Sequence, residues 1–144
     1  MKRFVVLLTS VSLFAPSLAL AATKVKIGFV NSITGPEAPI GENLSNGVTL
    51  AVEDLKKKGI DVELLKEDDT GKPETSMAAF EKLATSEKVT GIVGPYSSKC
   101  AAALARLAEK YKVPLLIPVA SKDDITRQNL KWTFRLSATT NDYA

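Results

Sequence analysis

Residues 89–111 read VTGIVGPYSSKCAAALARLAEKY, and this stretch decides the fold. The apolar run Val89–Val93 is typical of a buried strand, and Gly94-Pro95 follows it as a turn signal. A helical, alanine-rich pattern then begins at Ser98 or Lys99. The first N–H groups of a helix have no intrahelical partner and carry partial positive charge. The stretch therefore predicts a strand, a tight turn and a helix N-terminus that can bind an anion such as a carboxylate or phosphate.

The same strand-and-helix unit recurs on both sides of this stretch. Apolar residues at helical spacing predict three helices, around residues 44–55, 73–84 and 98–111. Five segments have strand patterns: Val25–Val30, Ile60–Leu65, Val89–Val93, Val113–Ile117 and Trp132–Leu136. Alternation of this kind predicts an α/β fold, an open parallel sheet with helices on both faces.

In an open parallel sheet, ligands bind at the carboxyl ends of the strands. Four predicted loops leave those ends, so the topology selects a candidate site before any side chain is considered. The loops are Asn31–Gly41, Glu67–Lys72, Gly94–Ser98 and Pro118–Asp124.

Hydroxyl residues in these loops have two interpretations. Ser97 and Ser98 are suited to capping the following helix, and they are equally suited to a ligand carboxylate. Ser121, after the fourth strand, carries the same ambiguity. The adjacent acids Asp68 and Asp69 favour turn chemistry over a catalytic pair, because adjacent residues of an extended chain point in opposite directions.

Several classes of enzyme lack their signatures here. The chain has no His, which removes the commonest general base and the commonest metal ligand. Its single Cys cannot form the spaced pairs of ligands that are typical of metal sites. No G-x-G-x-x-G, P-loop or G-x-S-x-G motif occurs. We therefore expect no enzyme, no metal and no cofactor.

The first 22 residues have the pattern of a signal peptide. Lys2 and Arg3 precede an apolar segment, Phe4–Leu20, and Ala19-Leu20-Ala21 is a small-residue cleavage site. No Cys follows it, which argues against a lipoprotein anchor. The sequence predicts cleavage near Ala21-Ala22 and a periplasmic or secreted protein.

The remaining composition narrows the possible partners. The net charge of +3 comes from 19 basic and 16 acidic residues, and removing Lys2 and Arg3 leaves 17 against 16, or +1. A nearly neutral chain does not indicate a nucleic-acid partner. Cys100 is interpreted as a small buried residue, with a reactive thiol activated by the helix dipole as the alternative.

Several motifs, in order along the chain, resemble a known family. Together they resemble the start of the branched-chain amino-acid (leucine/isoleucine/valine) periplasmic binding proteins of ABC transporters. The matching runs are Ile27–Val30, Thr34–Pro36 with Gly41, Asn46-Gly47, Ala51–Leu55, Glu67–Asp69 with Pro73, Gly91–Pro95 with Ser97-Ser98, Val113–Ile117 and Phe134-Arg135.

The resemblance implies a binding site. The Ser98 hydroxyl and N–H would hold the ligand carboxylate, Ser121 would bind the ligand backbone, and the Val119 carbonyl would accept from the ligand ammonium. Ile40 stands where relatives place an aromatic residue near the ligand side chain. Tyr96 and Ser97 of the turn complete the expected ligand-binding residues.

The resemblance also implies a function and a domain plan. Residues 23–144 would form the N-terminal lobe of a two-lobe receptor, type I in fold, that delivers an amino acid or related carboxylate to an ABC permease. The second lobe of the family is expected to be missing from this chain, so we expect it alone to bind weakly or not at all. A ligand-sensing ectodomain or regulator on the same scaffold remains an alternative, and an α/β enzyme a weaker one.

Overall fold

The computed structural model describes residues 24–143 and contains one five-stranded sheet. Every pair of neighbouring strands is parallel, and the strand order is β2-β1-β3-β4-β5. The predicted α/β fold with a parallel sheet is confirmed. The strands are β1 Val25–Asn31, β2 Val62–Asp68, β3 Gly91–Val93, β4 Leu115–Ile117 and β5 Thr133–Arg135.

Three α-helices connect these strands, and three short helical turns accompany them. The helices are α1 Ala38–Lys57, α2 Pro73–Glu81 and α3 Ser98–Tyr111. The turns are a π-helical turn, Lys82–Ser86, that continues α2, and 3-10 turns at Asp123–Ile125 and Thr140–Tyr143. None of the helices in residues 24–143 is long and apolar enough to cross a membrane. The predicted signal peptide lies outside the described residues.

The helices lie on both faces of the sheet because the chain changes direction at β1. From β1 the chain moves to β2 on one side, and from β2 it returns past β1 to β3 on the other. Right-handed crossovers then put α1 on one face and α2 with α3 on the opposite face. The point of reversal lies between β1 and β3, which is where open sheets of this kind form their binding crevice.

The core lies between the sheet and the α2–α3 face. Ile92 and Leu115 are register partners on adjacent strands, and both are buried. Leu83 and Leu104 reach the same cluster from the helical layer. Each such side chain contributes about 1.5–3 kcal/mol when removed from water, so this layer holds β3 and β4 firmly beneath α3.

Helix α1 begins earlier than the sequence predicts. Residues up to Gly41 were expected to form a loop, but the helix starts at Ala38, with Pro39 in its first turn, where a missing N–H is tolerated. Gly41 is therefore a helical residue. It is buried against Ser32, whose carbonyl oxygen would lie 1.7 Å from a Cβ atom at this position. A close approach of helix and loop, rather than a turn, requires glycine here.

Two further differences arise from tertiary packing. Strand β2 runs over Val62–Asp68 instead of Ile60–Leu65, because it pairs with β1 along its whole length. Met77, one of the apolar residues at helical spacing in the predicted helix 73–84, is 37% exposed. Ser76, Ala79 and Phe80 occupy the buried side of α2 instead.

Candidate ligand-binding site

The turn between β3 and α3 is fixed by contacts with β1. Gly94 has φ +122°, and a Cβ atom there would lie 1.9 Å from the Val30 carbonyl oxygen. The Gly94–Pro95 peptide bond is cis. The Tyr96 N–H donates to Asn31 Oδ1 at 3.1 Å, and Asn31 Nδ2 donates to the Gly41 carbonyl at 3.4 Å. The buried Asn31 side chain thus joins β1, α1 and the turn, a role that the sequence did not reveal.

The N-terminus of α3 follows this turn directly, and its first backbone N–H groups are hydrogen-bond donors without an acceptor in the described part of the chain. Ser97 has the extended backbone of a capping residue (φ −65°, ψ 127°), yet its side chain makes no capping hydrogen bond. Ser97 therefore occupies the N-cap position that the sequence predicts, but its hydroxyl does not cap the helix. Within residues 24–143, the N–H groups of Ser98 and Lys99 have no hydrogen-bond acceptor. These donors, together with the dipole of α3, can bind a carboxylate.

A cavity of about 360 Å³ lies against this helix end. Its lining comes from the β3–α3 turn, the loop after β4 and one residue before α1: Glu37, Tyr96, Ser97, Ser98, Lys99, Val119, Ala120 and Ser121. The volume is at the small end of the range for small-molecule sites. The predicted residues Ser98, Ser121, Val119, Ser97 and Tyr96 thus line one cavity.

Ile40 is the exception among the predicted residues. It lies in the first turn of α1, 38% exposed, and does not line this cavity. The early start of α1 explains the difference, because Ile40 belongs to the helix instead of a flexible loop. Glu37, just before the helix, reaches the cavity in its place.

The loop after β4 is held by residues that follow β5. Ser137 Oγ donates to the Val119 carbonyl at 3.2 Å, and the Thr140 N–H donates to the Ser121 carbonyl at 2.9 Å. A carbonyl oxygen can accept a second hydrogen bond, so Val119 retains an acceptor site. Ser137 and Thr140 carried no signal of this role in the sequence.

A buried polar cluster centred on Asp69 joins the loops after β1 and β2. Asp69 is fully buried and accepts hydrogen bonds from Ser32 Oγ at 2.8 Å, Ser76 Oγ at 2.9 Å and the Gly71 N–H at 2.8 Å. These bonds tie the loop after β1 to the loop after β2 and to α2. The interpretation of Asp69 as a turn residue is confirmed, and it also acts across elements.

Asp68 fixes the same two loops from the other side. It accepts hydrogen bonds from the backbone N–H groups of Ile33, Thr34 and Thr70 and from the Thr34 hydroxyl. Partial burial raises the pKa of the Asp68 carboxyl, but the hydrogen bonds from Thr34, Thr70 and Ile33 together outweigh it, so the pKa lies below its ordinary value. Asp68 is therefore ionised and structural.

Cys100 lies in the first turn of α3 and is fully buried. Burial raises the pKa of its thiol above the ordinary value, and the negative charges of Asp69 and Glu37 raise it further. Hydrogen bonds from Ser76 and Ser97 lower the pKa, but by less than the other effects raise it. The interpretation of Cys100 as a small buried residue is confirmed. The alternative, a reactive thiol, is wrong because the thiol is inaccessible to solvent and its pKa is raised instead of lowered.

Comparison with known proteins identifies relatives along nearly the whole described chain. The family model described as periplasmic binding protein matches residues 24–144. The Leu/Ile/Val-binding protein BraC3 of Rhizobium johnstonii is 31% identical over 123 residues, which cover 81% of this chain and 32% of that protein.

Solved structures agree with this match. The branched-chain amino acid transporter substrate-binding protein LivJ of Streptococcus pneumoniae, in complex with isoleucine, superposes with a TM-score of 0.76 at 28% identity, over 81% of this chain and 34% of that one. An ABC transporter solute-binding protein of R. palustris, in complex with benzoate, has a TM-score of 0.74 at 30% identity, over 81% and 33% of the two chains. The chain thus spans about a third of the length of these relatives. They are solute-binding proteins, not enzymes.

Proposed function

The chain belongs to the periplasmic binding protein family, and we propose that residues 23–144 form the first lobe of a receptor for an amino acid, branched-chain or similar. The receptor would capture its ligand between two lobes and deliver it to an ABC permease in the membrane. We further propose that residues 1–22 are the export signal, which makes the protein periplasmic or secreted.

The proposal rests on one observation: Ser98 and Ser121 line the same cavity at the carboxyl ends of adjacent strands. In this arrangement the ligand carboxylate accepts hydrogen bonds from the free N–H groups of Ser98 and Lys99 and from the serine hydroxyls. The ligand ammonium donates to the Val119 carbonyl. No bond is made or broken, so the site works by complementarity alone.

The ligands of the structural neighbours are compatible with a carboxylate site. Isoleucine and benzoate, bound in two of them, share a carboxylate and differ in almost everything else. A helix N-terminus provides the feature that both ligands can use, because its N–H groups recognise the carboxylate without reading the side chain. The remaining lining must therefore distinguish amino acids from other carboxylates.

A titration with leucine tests the proposal directly. One lobe leaves part of the ligand in water, so we expect binding in the millimolar range, about 4 kcal/mol in free energy. Backbone amide chemical shifts, followed by NMR, detect binding this weak and also locate it. We expect the largest changes at Ser98, Lys99 and Ser121, and none at Ser86, an exposed residue of the π-helical turn.

A pair of serine variants supplies the control. Ser98→Ala removes one hydroxyl donor, which is worth on the order of 1 kcal/mol, so leucine should bind about fivefold more weakly. Ser86→Ala removes an equivalent hydroxyl remote from the cavity and should leave the affinity unchanged. Leucine-induced shifts that cluster elsewhere would show that this cavity is not the site.

A further inference from the structure

One acidic side chain in the cavity has no part in the carboxylate site described above. Glu37 directly precedes α1, is half-buried, and lines the cavity together with residues of the α3 N-terminus and of the loop after β4. It also lines a second small cavity, together with Lys72. Its side chain makes no capping hydrogen bond to α1, so helix capping does not account for its position.

The hydrogen-bond geometry leaves the Glu37 carboxylate short of donors. Ser32 Oγ lies 3.1 Å from Glu37 Oε2 and 2.8 Å from Asp69 Oδ1. A serine hydroxyl has one hydrogen and cannot donate to both acids at once. The distance to Asp69 Oδ1 is the shorter of the two and close to the usual O–H···O length, so this is the stronger hydrogen bond. The hydrogen is therefore assigned to Asp69.

Glu37 also lacks a cationic partner in the described part of the chain. Neither Lys99, which lines the same cavity, nor Lys72, which lines the second cavity, lies within ion-pair distance of it. The Asp69 carboxylate lies nearby, bridged through Ser32. The cavity lining thus combines the acidic Glu37 with the positive end of α3 and the exposed Lys99.

We propose that Glu37 is a specificity-determining residue that selects ligands with a cationic group beside their carboxylate over ligands with a carboxylate alone. A zwitterionic amino acid matches both charges, with its carboxylate at the α3 N-terminus and its ammonium between the Val119 carbonyl and the Glu37 carboxylate. An aromatic or aliphatic carboxylate without an ammonium group leaves Glu37 unpaired and meets its repulsion. The inference rests on the proposed function, because it assumes that the cavity is the ligand site.

Leucine and 4-methylpentanoate form a matched pair of probes, because the second is leucine without its ammonium group. Each is titrated into the protein and followed by the amide shifts of Ser98 and Ser121, with benzoate as an aromatic carboxylate. For the unsubstituted protein we expect a preference for leucine of about tenfold, the scale of one partly solvated charge interaction.

The charge of Glu37 is then removed without changing its shape. Glu37→Gln should reduce the preference for leucine to about twofold or less, because it weakens the binding of leucine and strengthens the binding of 4-methylpentanoate. Glu42→Gln removes an equal charge from an exposed position on α1 that does not line the cavity, and should keep the preference. A well-dispersed amide spectrum for each variant shows that the fold is retained.

The outcomes separate this inference from the proposed function. If Glu37→Gln keeps the full preference for leucine, or if the unsubstituted protein binds both probes equally, Glu37 does not select the ligand, although the site itself stands. If the probes shift amide signals elsewhere in the protein and not those of Ser98 and Ser121, the proposed site and the inference both fail. A loss of preference in Glu42→Gln as well would assign the effect to net charge and would also overturn the inference.

Discussion

The Tyr96 N–H lies 3.1 Å from Asn31 Oδ1, so the turn that opens the candidate site is fixed to the end of the first strand. Asn31 is fully buried, and its amide nitrogen also donates to the Gly41 carbonyl in α1. One side chain therefore positions two of the loops that meet at the carboxyl edge of the sheet. The position of α3 relative to β1 depends on this contact.

Replacing Asn31 should destabilise the protein and loosen the site. Asn31→Ala leaves the half-buried Tyr96 N–H without its acceptor and removes the contact with the Gly41 carbonyl, and the unsatisfied N–H alone costs about 1–3 kcal/mol. Urea denaturation monitored by circular dichroism measures the change. Asn46→Ala, at an exposed position of α1, is the matched control and should change the free energy of unfolding by less than about 0.5 kcal/mol. Equal effects of the two substitutions would contradict the role of Asn31.

Replacing two different glycines by alanine should change the stability of the protein in opposite directions. Gly94→Ala places a Cβ atom 1.9 Å from the Val30 carbonyl oxygen in a residue with φ +122°, so we expect a loss of several kcal/mol or failure to fold. Gly47→Ala, inside α1 with nothing within 4 Å of the new Cβ, should stabilise the protein by about 0.5–1 kcal/mol. Thermal melting of both variants measures the contrast. A Gly94→Ala protein as stable as the parent would mean that the turn has another conformation.

Asp68 should make stability depend on pH in the acidic range. Its pKa in the folded protein lies below the ordinary value of 3.8, so the unfolded chain takes up the proton first as the pH falls. The stabilisation is fully present above the unfolded pKa and is lost as the pH falls through the folded pKa. Asp68→Asn should be less stable than the parent near pH 7, by about 1 kcal/mol because the group is partly screened by water. The difference should shrink near pH 2.5, and urea midpoints that differ equally at both pH values would refute this assignment.

Cys100 should be inert in the folded protein. Burial removes the thiol from solvent and raises its pKa, so both the access and the thiolate fraction are low. Iodoacetamide should modify Cys100 only at the rate at which the protein unfolds, and rapidly in concentrated guanidinium. Mass spectrometry of timed samples follows the reaction. Modification of the native protein as fast as that of a free thiol would show that the first turn of α3 is open.

The sequence by itself determined the elements that are built from local pattern. The apolar run before Gly94 and the alanine-rich run after Ser98 predicted a strand and a helix, and α3 begins at Ser98 as expected. Alternation of such units was sufficient for the parallel α/β sheet, because crossover handedness leaves few other arrangements. The same reasoning put Ser98 and Ser121 at neighbouring strand ends, where they line one cavity.

Only the tertiary structure decided that Glu37 lines that cavity and that Ile40 does not. The limits of β2 follow from its pairing with β1, and the start of α1 accompanies the close contact of Gly41 with Ser32, so neither could be read from local pattern. Because α1 starts at Ala38 instead of near residue 44, Ile40 belongs to the helix and Glu37 directly precedes it. The pattern of a strand depends on residues that are adjacent in the sequence, whereas the lining of a cavity depends on residues that are distant in the sequence and adjacent in space.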